Sequence, residues 1–349
     1  MLKSGKSVVG LDIGSTAIKA VELTRNGKTL MVTGFGQLEV DGSDPQAVSQ
    51  GIAELMKEGG FRSKRVVSSV SGQKVVIRYL SMAPMSEEEL RNAIIFEAEK
   101  YIPFTLDECV MDCQRLEDAG AADPQGAGQN NVLLVAVTKD HVEEHLKTLG
   151  AAGVAPEVVD VDAFALSNAW DLVATSAKAK EGDAPADGVV AFVDIGASKT
   201  SVNIVHNGAS VFTREIYVGG RDFTQAIARR MNVEENEAEA LKRSPGENEE
   251  NVREAVFPSI DDLGNELQLS FDYFETQYSK SLDKILLSGG GSRMGSVRDA
   301  FEKIFEKPVA VFNPFEGLEL SQDLDQDLLA AGGPQLVVAA GLAARITKG

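Results

Sequence analysis

Residues 8–19 read VVGLDIGSTAIK, and residues 189–200 read VVAFVDIGASKT. In each stretch a short apolar run ends in Asp-Ile-Gly, and small or hydroxylated residues and a lysine follow. The two triplets lie 182 residues apart. Working outward, an alternating run comes next in both copies, Ile18 to Leu23 and Ser201 to Val205. An Asn-Gly pair follows, Asn26-Gly27 and Asn207-Gly208, and then a third run, Leu30 to Val40 and Val211 to Val218. Asn-Gly between alternating runs is a strong hairpin signal. The Asn-Gly pairs are 181 residues apart, so the copies differ by one residue. Three antiparallel strands occurring twice form an internal repeat, which predicts two similar lobes of mixed α/β type. The polar stretch Lys178 to Gly188 reads as the linker, placing the first lobe at 1–177 and the second at 189–349.

In the first half, Val48, Ile52, Leu55 and Met56 predict a helix over Pro45 to Glu58. Two β-rich runs, Arg65 to Ser71 and Val75 to Leu80, are joined at Gly72-Gln73. Ser86 and Glu89 form a capping box. It opens a helix with Leu90, Ile94, Ala98 and Ile102 on one face, closed by Pro103. Strand-like runs at Glu108 to Leu116 and Val132 to Thr138 flank a polar loop at 118–131. A helix at 140–151, a strand at 157–160 and a helix at 162–176 complete this half. The second half predicts helices at 221–231, 234–242 and 259–280, and then a strand, Lys284 to Leu287. That strand ends in Ser288-Gly289-Gly290-Gly291-Ser292. A helix through Val297, Phe301, Ile304 and Phe305, a strand from Val309 to Phe312, and a mostly helical stretch at 325–346 follow.

The chain has 349 residues, 43% hydrophobic and 25% charged, enough to bury two substantial cores. Lys plus Arg number 34 against 53 Asp plus Glu, a formal charge of −19. That disfavours non-specific nucleic-acid binding and a direct polybasic grip on anionic lipid. With only Cys109 and Cys113, a disulfide scaffold is excluded and a reducing compartment is expected. No apolar run approaches the roughly 18 residues of a membrane span. Asp12 interrupts any signal-peptide core. The expectation is a cytosolic protein, held at a membrane only through partners.

Each Asp-Ile-Gly turn puts a carboxylate at a strand end and a small-residue loop after it. Glycine lets backbone N–H groups converge into a concave anion site. Gly14, Ser15, Thr16 and Lys19 supply the first such loop, and Gly196, Ala197, Ser198, Lys199 and Thr200 the second. Facing one another, they would hold a polyphosphate from both sides. Asp12 and Asp194 would then sit where hydrated Mg²⁺ belongs, acting through water. The third turn, Gly289, Gly290, Gly291 and Ser292, suits close approach of a base or ribose. A single such turn is a common structural feature, and only the matched pair with the third turn downstream gives the pattern weight. No GxxxxGK[ST] run is present, and no GxGxxG fingerprint either.

These motifs resemble the actin-like ATPase superfamily of heat-shock chaperones, sugar kinases and FtsA. In that resemblance Gly219 and Gly220 match the glycine pair after the second phosphate motif. Glu239 and Lys242 match a helix facing ribose and base, and Leu287 to Ser292 the adenosine motif, with Met294 just beyond it as a further nucleotide-binding candidate. Ala339 to Ala343 matches the second connecting motif. The likeness narrows to the PilM family of type IV pilus machines through VVGLDIGSTAIKAVEL near the start, SEEELRNAIIFEAEKYIPF at 86–104 and LLSGGGSRM at 286–294. It implies two ribonuclease H-like lobes around a nucleotide cleft, a subdomain inserted at about 84–160 and a nucleotide-binding subdomain at about 221–283. It also implies ATP and Mg²⁺ as cofactors, the cytoplasmic N-terminal peptide of PilN as partner, and a place at the inner membrane through partners. Ile94, Ala98 and Ile102 are the candidates to line the peptide groove, although their stripe is equally that of a core helix.

The resemblance leaves open contacts with pilus assembly and retraction motors and a homo-oligomer or ring. Three functional readings compete. The first is an ATP-binding scaffold in which nucleotide tunes lobe closure and the grip on PilN. The second is an actively hydrolysing ATPase or kinase, with Asp194 the one catalytic candidate. The third is an adaptor of FtsA-like cell division or type II secretion. Against FtsA stands the expected membrane-binding tail helix, which has no counterpart after the connecting motif. His141 and His145, four apart on a predicted helix, lack a third ligand and read as a solvated face. Cys109 and Cys113 read as inert thiols, Trp170 as core, and Glu247, Glu249 and Glu250 as a solvated loop.

Overall fold

The computed structural model describes residues 6–27, 29–116, 130–181 and 188–347. Most of the expected polar loop, 118–129, and of the expected linker, 182–187, lies outside these residues. The opening repeat forms β1 (Lys6–Ile13), β2 (Ala17–Asn26) and β3 (Thr29–Glu39). A helix, α1 (Pro45–Glu58), follows, with the Asp44 side chain accepting from the Gln46 N–H at its start and Pro45 in its first turn. Strands β4 (Val66–Val70) and β5 (Val75–Met82) come next, and then α2 (Glu87–Ala98), which carries the expected capping box from Ser86 and Glu89. The first half ends with β6 (Cys109–Leu116), β7 (Asn130–Thr138), α3 (Lys139–Ala151), β8 (Pro156–Val161) and α4 (Asp162–Glu181). Helix α4 therefore runs on beyond 176 into the stretch that composition marks as linker.

The second copy gives β9 (Val189–Ile195), β10 (Thr200–His206) and β11 (Ala209–Ile216). Helices α5 (Gly220–Met231), α6 (Glu235–Arg243) and α7 (Glu249–Tyr278) follow. After them come β12 (Lys284–Ser288), α8 (Gly295–Phe305), β13 (Val309–Val311), β14 (Glu319–Leu320), α9 (Gln326–Gly332) and α10 (Val337–Ala343). Helix α7 begins ten residues before the expected start, so Glu249 and Glu250 are helical and not in a loop. Pro258 lies inside it. A mid-helix proline costs about 3 kcal/mol. Val252, Ala255 and Val256 before it and Ile260 and Leu263 after it continue one buried stripe, and that packing outweighs the lost bond.

The strands form a six-stranded sheet, β14-β3-β2-β1-β4-β8, a five-stranded sheet, β11-β10-β9-β12-β13, and a three-stranded sheet, β5-β7-β6. The repeat is visible in the pairing. β1 is antiparallel to β2 and parallel to β4, while β9 is antiparallel to β10 and parallel to β12. Strands β4 and β5, joined at Gly72-Gln73, belong to different sheets. The separate three-stranded layer starts at Val75, ahead of residue 84, and β8 within 156–161 belongs to the six-stranded sheet.

The end of the chain returns to the first sheet. β14 pairs with β3, and α10 packs on β1, β2 and α4. Glycine permits this closeness: a Cβ on Gly10 would lie 2.0 Å from the Ala339 carbonyl oxygen, and one on Gly341 1.8 Å from that of Ala165. A single split into residues 1–177 and 189–349 therefore does not describe the packing of the last elements. Helices α4 and α10 lie together between the two large sheets, in one buried cluster with residues of β1, β9 and β12.

Helix α2 packs its Leu90, Ile94 and Ala98 face on the three-stranded sheet, with Ile102 just past its end in the same cluster. Ile94, Ala98 and Ile102 are 5%, 0% and 7% exposed, so they are core and do not line a groove. The core reading of that stripe is the correct one.

Candidate functional site

The two Asp-Ile-Gly turns fold alike to the atom. The Gly14 N–H donates to the Ala17 carbonyl at 3.0 Å, and the Gly196 N–H donates to the Lys199 carbonyl at 2.9 Å. A Cβ on either glycine would lie 2.9 Å from that carbonyl oxygen. The turns face each other, for the Ser198 hydroxyl donates to the Ser15 hydroxyl at 2.8 Å. Ser15 and Thr16 are exposed, with their backbone carbonyls held by Gly42 and Val40.

Below the turns lie the carboxylates. Asp12 is buried and accepts from the Lys19 ammonium, its antiparallel partner across β1 and β2, at 2.9 Å. Asp194 accepts from the Ser288 hydroxyl of the neighbouring parallel strand at 2.7 Å. Burial pushes the Asp194 carboxyl up to about 6, helped by Asp12 and Asp162 and opposed by Ser288 and Lys19. Burial also raises Asp12, against the pull of Lys19. Burial works against the Lys19 ammonium too, but Asp12, Asp194 and Asp162 hold it above its usual range. Among the described residues no three or more His, Cys, Asp or Glu side chains form a metal cage. A group of carboxylates set among Lys19 and Lys199 is still electrostatically suited to a cation that keeps its own waters, as Mg²⁺ does.

Two expected phosphate ligands are otherwise engaged. Lys199 is ion-paired with Glu215 and lies 3.7 Å from Asp162. Thr200 is fully buried, and its hydroxyl donates to the Val218 carbonyl at 2.8 Å. Gly219 and Gly220 act as a backbone brace. The Gly220 and Arg221 N–H groups donate to the Gly196 and Ala197 carbonyls, each at 2.8 Å. A Cβ on Gly219 would lie 2.7 Å from the Gly196 oxygen.

On α6, Lys242 donates to the Gly220 carbonyl at 2.9 Å, the Thr224 hydroxyl at 2.8 Å and Glu239 at 2.6 Å. Burial raises the Glu239 carboxyl, but these bonds, with those from Thr224 and Arg243, leave it below its usual range. Arg243 pairs with both Glu239 and, on β3, Glu39, spanning the mouth of the cleft. In the third turn Gly289 has φ +80°, and its N–H donates to the Pro334 carbonyl at 2.7 Å. Gly291 sits against Ile195, Gly290 near Gln335, and the Ser292 hydroxyl donates back to the Gly289 carbonyl at 2.8 Å. Half-buried Met294 starts α8.

A second site lies elsewhere. A cavity of about 760 Å³ opens beside β6, with no residue of the three glycine turns in its wall. Strand β7 is apolar on both faces. Val132, Leu134 and Ala136 face α2, while Leu133, Val135 and Val137 line the cavity. Val110, Asp112 and Gln114 of the edge strand β6 line it as well. The opposite wall comes from Val70 and Val159 to Val161, Phe164 and Asn168 of α4, Asn207 to Ser210 between β10 and β11, and Arg345. All three sheets therefore build it.

His145 and His141 are not a solvated face. His145 Nε2 lies 2.9 Å from the Ser68 hydroxyl, and His141 Nε2 3.2 Å from the Ser71 carbonyl oxygen. Trp170 packs edge-on against Phe192, as expected for core. Asp162 and Glu215 were not legible as site residues, whereas Ser288 opens the third glycine turn. Asp160-Val161 at the end of β8 repeats the placement of Asp12-Ile13 and Asp194-Ile195, and Asp162 follows it.

A family model described as Type IV pilus assembly protein PilM matches residues 10–347. The chain belongs to the PilM family. A solved structure of a PilM-PilN type IV pilus biogenesis complex shares 28% identity, covers 99% of each chain and superposes with a TM-score of 0.83. The cell division protein FtsA of Pseudomonas aeruginosa is 24% identical over 95% of this chain and 88% of its own. MreB5 of Spiroplasma citri, solved bound to ADP, shares 11% identity over 99% and 98% of the two chains with a TM-score of 0.51. The fold is that of the actin-like ATPases, a type IV pilus assembly PilM. Among the described residues no single helix is long and apolar enough to cross a membrane.

Proposed function

We propose that this PilM-family chain is a cytosolic scaffold of the type IV pilus machine that binds Mg²⁺·ATP between its lobes and grips the cytoplasmic N-terminal peptide of PilN. The observation that carries the peptide reading is the cavity beside β6, which all three sheets wall. An edge strand offers unpaired main-chain groups, and an extended peptide satisfies them while alternate side chains enter apolar pockets. The partner in the similar PilM-PilN complex gives the peptide its name. A protein of this kind needs no membrane span, because PilN supplies the anchor.

For the nucleotide, the backbone N–H groups and the Ser15, Thr16 and Ser198 hydroxyls of the facing turns bind phosphate oxygens. Lys19 neutralises charge beside Asp12. Asp12 and Asp194 hold Mg²⁺ through its waters, and the metal supplies charge neutralisation for the phosphates. The Gly289 turn receives the adenosine, with α6 beside it. A phosphate held by both turns would compete for the Ser15–Ser198 bond and exchange it for bonds to the ligand. That exchange changes how the lobes meet, and a ligand shifts such an equilibrium by its differential affinity for the two arrangements. Asp194 is our candidate to assist a slow hydrolysis.

The test of the peptide reading is calorimetric titration of a synthetic peptide of the PilN cytoplasmic N-terminus into wild type and Val110→Arg. Val110 is 51% exposed at the groove, so the variant is expected to fold normally and lose at least about tenfold in affinity. Unchanged affinity in the folded variant rejects the groove.

A further inference from the structure

Strand β11 touches both sites. At its far end Glu215 is ion-paired with Lys199 of the second phosphate turn, and its Oε1 accepts the Gly72 N–H at 3.1 Å. Gly72 lies between β4 of the six-stranded sheet and β5 of the three-stranded sheet. At its near end Ser210, in the cavity wall, lies 2.8 Å from the Tyr79 hydroxyl of β5. The Ser210 hydroxyl also donates to Asn203 Oδ1 at 2.9 Å, and the Asn203 amide donates to the Ala163 carbonyl of α4. Five residues of strand separate Ser210 from Glu215, about 17 Å. Along that length β11 is the edge of its sheet, and its side chains reach across to β5.

We infer that β11 couples the two sites, with Glu215 and Tyr79 as its positioning residues at the nucleotide turn and the groove wall. The inference rests on the reading that nucleotide binds at the paired turns and peptide in the groove. Any change in the position of the second turn moves Lys199, and with it Glu215 and the Gly72 amide that sets where β5 starts. At the other end the Tyr79–Ser210 contact carries the same displacement into the groove wall. The path is short and polar, running from the β4–β5 connection at Gly72 to β5 itself at Tyr79. Tyr79 bonds to Ser210, away from the phosphate turns, so it can be changed without removing a phosphate ligand, whereas Glu215 holds Lys199 of the second turn. Coupling of this kind is measured as a free energy and is reciprocal.

The experiment measures the Kd of the PilN N-terminal peptide with and without saturating Mg²⁺·ATP, and the Kd of Mg²⁺·ATP with and without peptide. Wild type, Tyr79→Phe and Glu215→Gln are compared, with thermal melting to confirm folding. In wild type the two ratios are expected to agree and to reach about fivefold or more. In folded Tyr79→Phe each ligand alone is expected to bind within about twofold of wild type, while both ratios fall toward one. Glu215→Gln frees Lys199 beside the second turn and is read by its two ratios alone, which are expected to fall toward one, with Glu215→Asp restoring part of the ratio. A wild-type ratio of one rejects nucleotide tuning itself, and this inference with it. A wild-type ratio above one that survives unchanged in both folded variants rejects β11 alone.

Discussion

A Cβ on Gly289 would lie 2.4 Å from the Ile195 carbonyl oxygen, and its φ of +80° disfavours any L side chain. Gly289→Ala is therefore expected to lose about 2–3 kcal/mol, read by urea unfolding, with a loss of nucleotide affinity that exceeds it. A stability change below about 0.5 kcal/mol would show that the third turn relaxes freely. Asp194 gives a pH signature. Its folded pKa of about 6 lies above the ordinary 3.8, so on raising pH the unfolded chain releases this proton first. Stability from this group is therefore lost as pH rises from about 4 to about 6. In metal- and nucleotide-free protein, Asp194→Asn is expected to exceed wild type by about 2 kcal/mol at pH 7 and to match it near pH 4. Equal stabilities at pH 7 would contradict the burial argument. Asp12 and Asp194 were legible because a carboxylate at a strand end before glycine repeats. The partner of Lys199 was not, because Glu215 reaches it only through the pairing of β10 with β11.

At the scale of elements, periodicity placed α2 and its buried face but could not say what else that layer touches. The signal was in β7, where Val132 to Val137 is apolar on both faces. An antiparallel strand with one face in water alternates, and this one does not, so a second cover was implied. Ile94→Ala tests the assignment of the two faces. It is expected to cost about 2–4 kcal/mol by cavity formation while leaving the peptide affinity of the folded protein unchanged. A specific loss of peptide binding with intact stability would return that face to the groove. The expected start of α7, 259, falls just past Pro258. Local propensity ends a helix there, whereas a stripe from Val252 to Tyr278 packs beneath it.

Over the whole molecule, the repeat predicted two lobes and nothing in it predicted the return of the chain to the first sheet. That return puts α10 against α4 and Arg345 into the groove wall. The paired glycine turns and the groove thus share their framework: α4 starts with Asp162 beside the carboxylates and carries Phe164 and Asn168 into the cavity. A protein so connected should not bind its two ligands independently. The most direct measurement is calorimetric titration of the PilN N-terminal peptide into wild-type protein, once without nucleotide and once saturated with Mg²⁺·ATP. The account predicts affinities that differ by about fivefold or more, with nucleotide affinity changed by the same factor when peptide is bound. Equal peptide affinities, with nucleotide binding confirmed in the same sample, would contradict it.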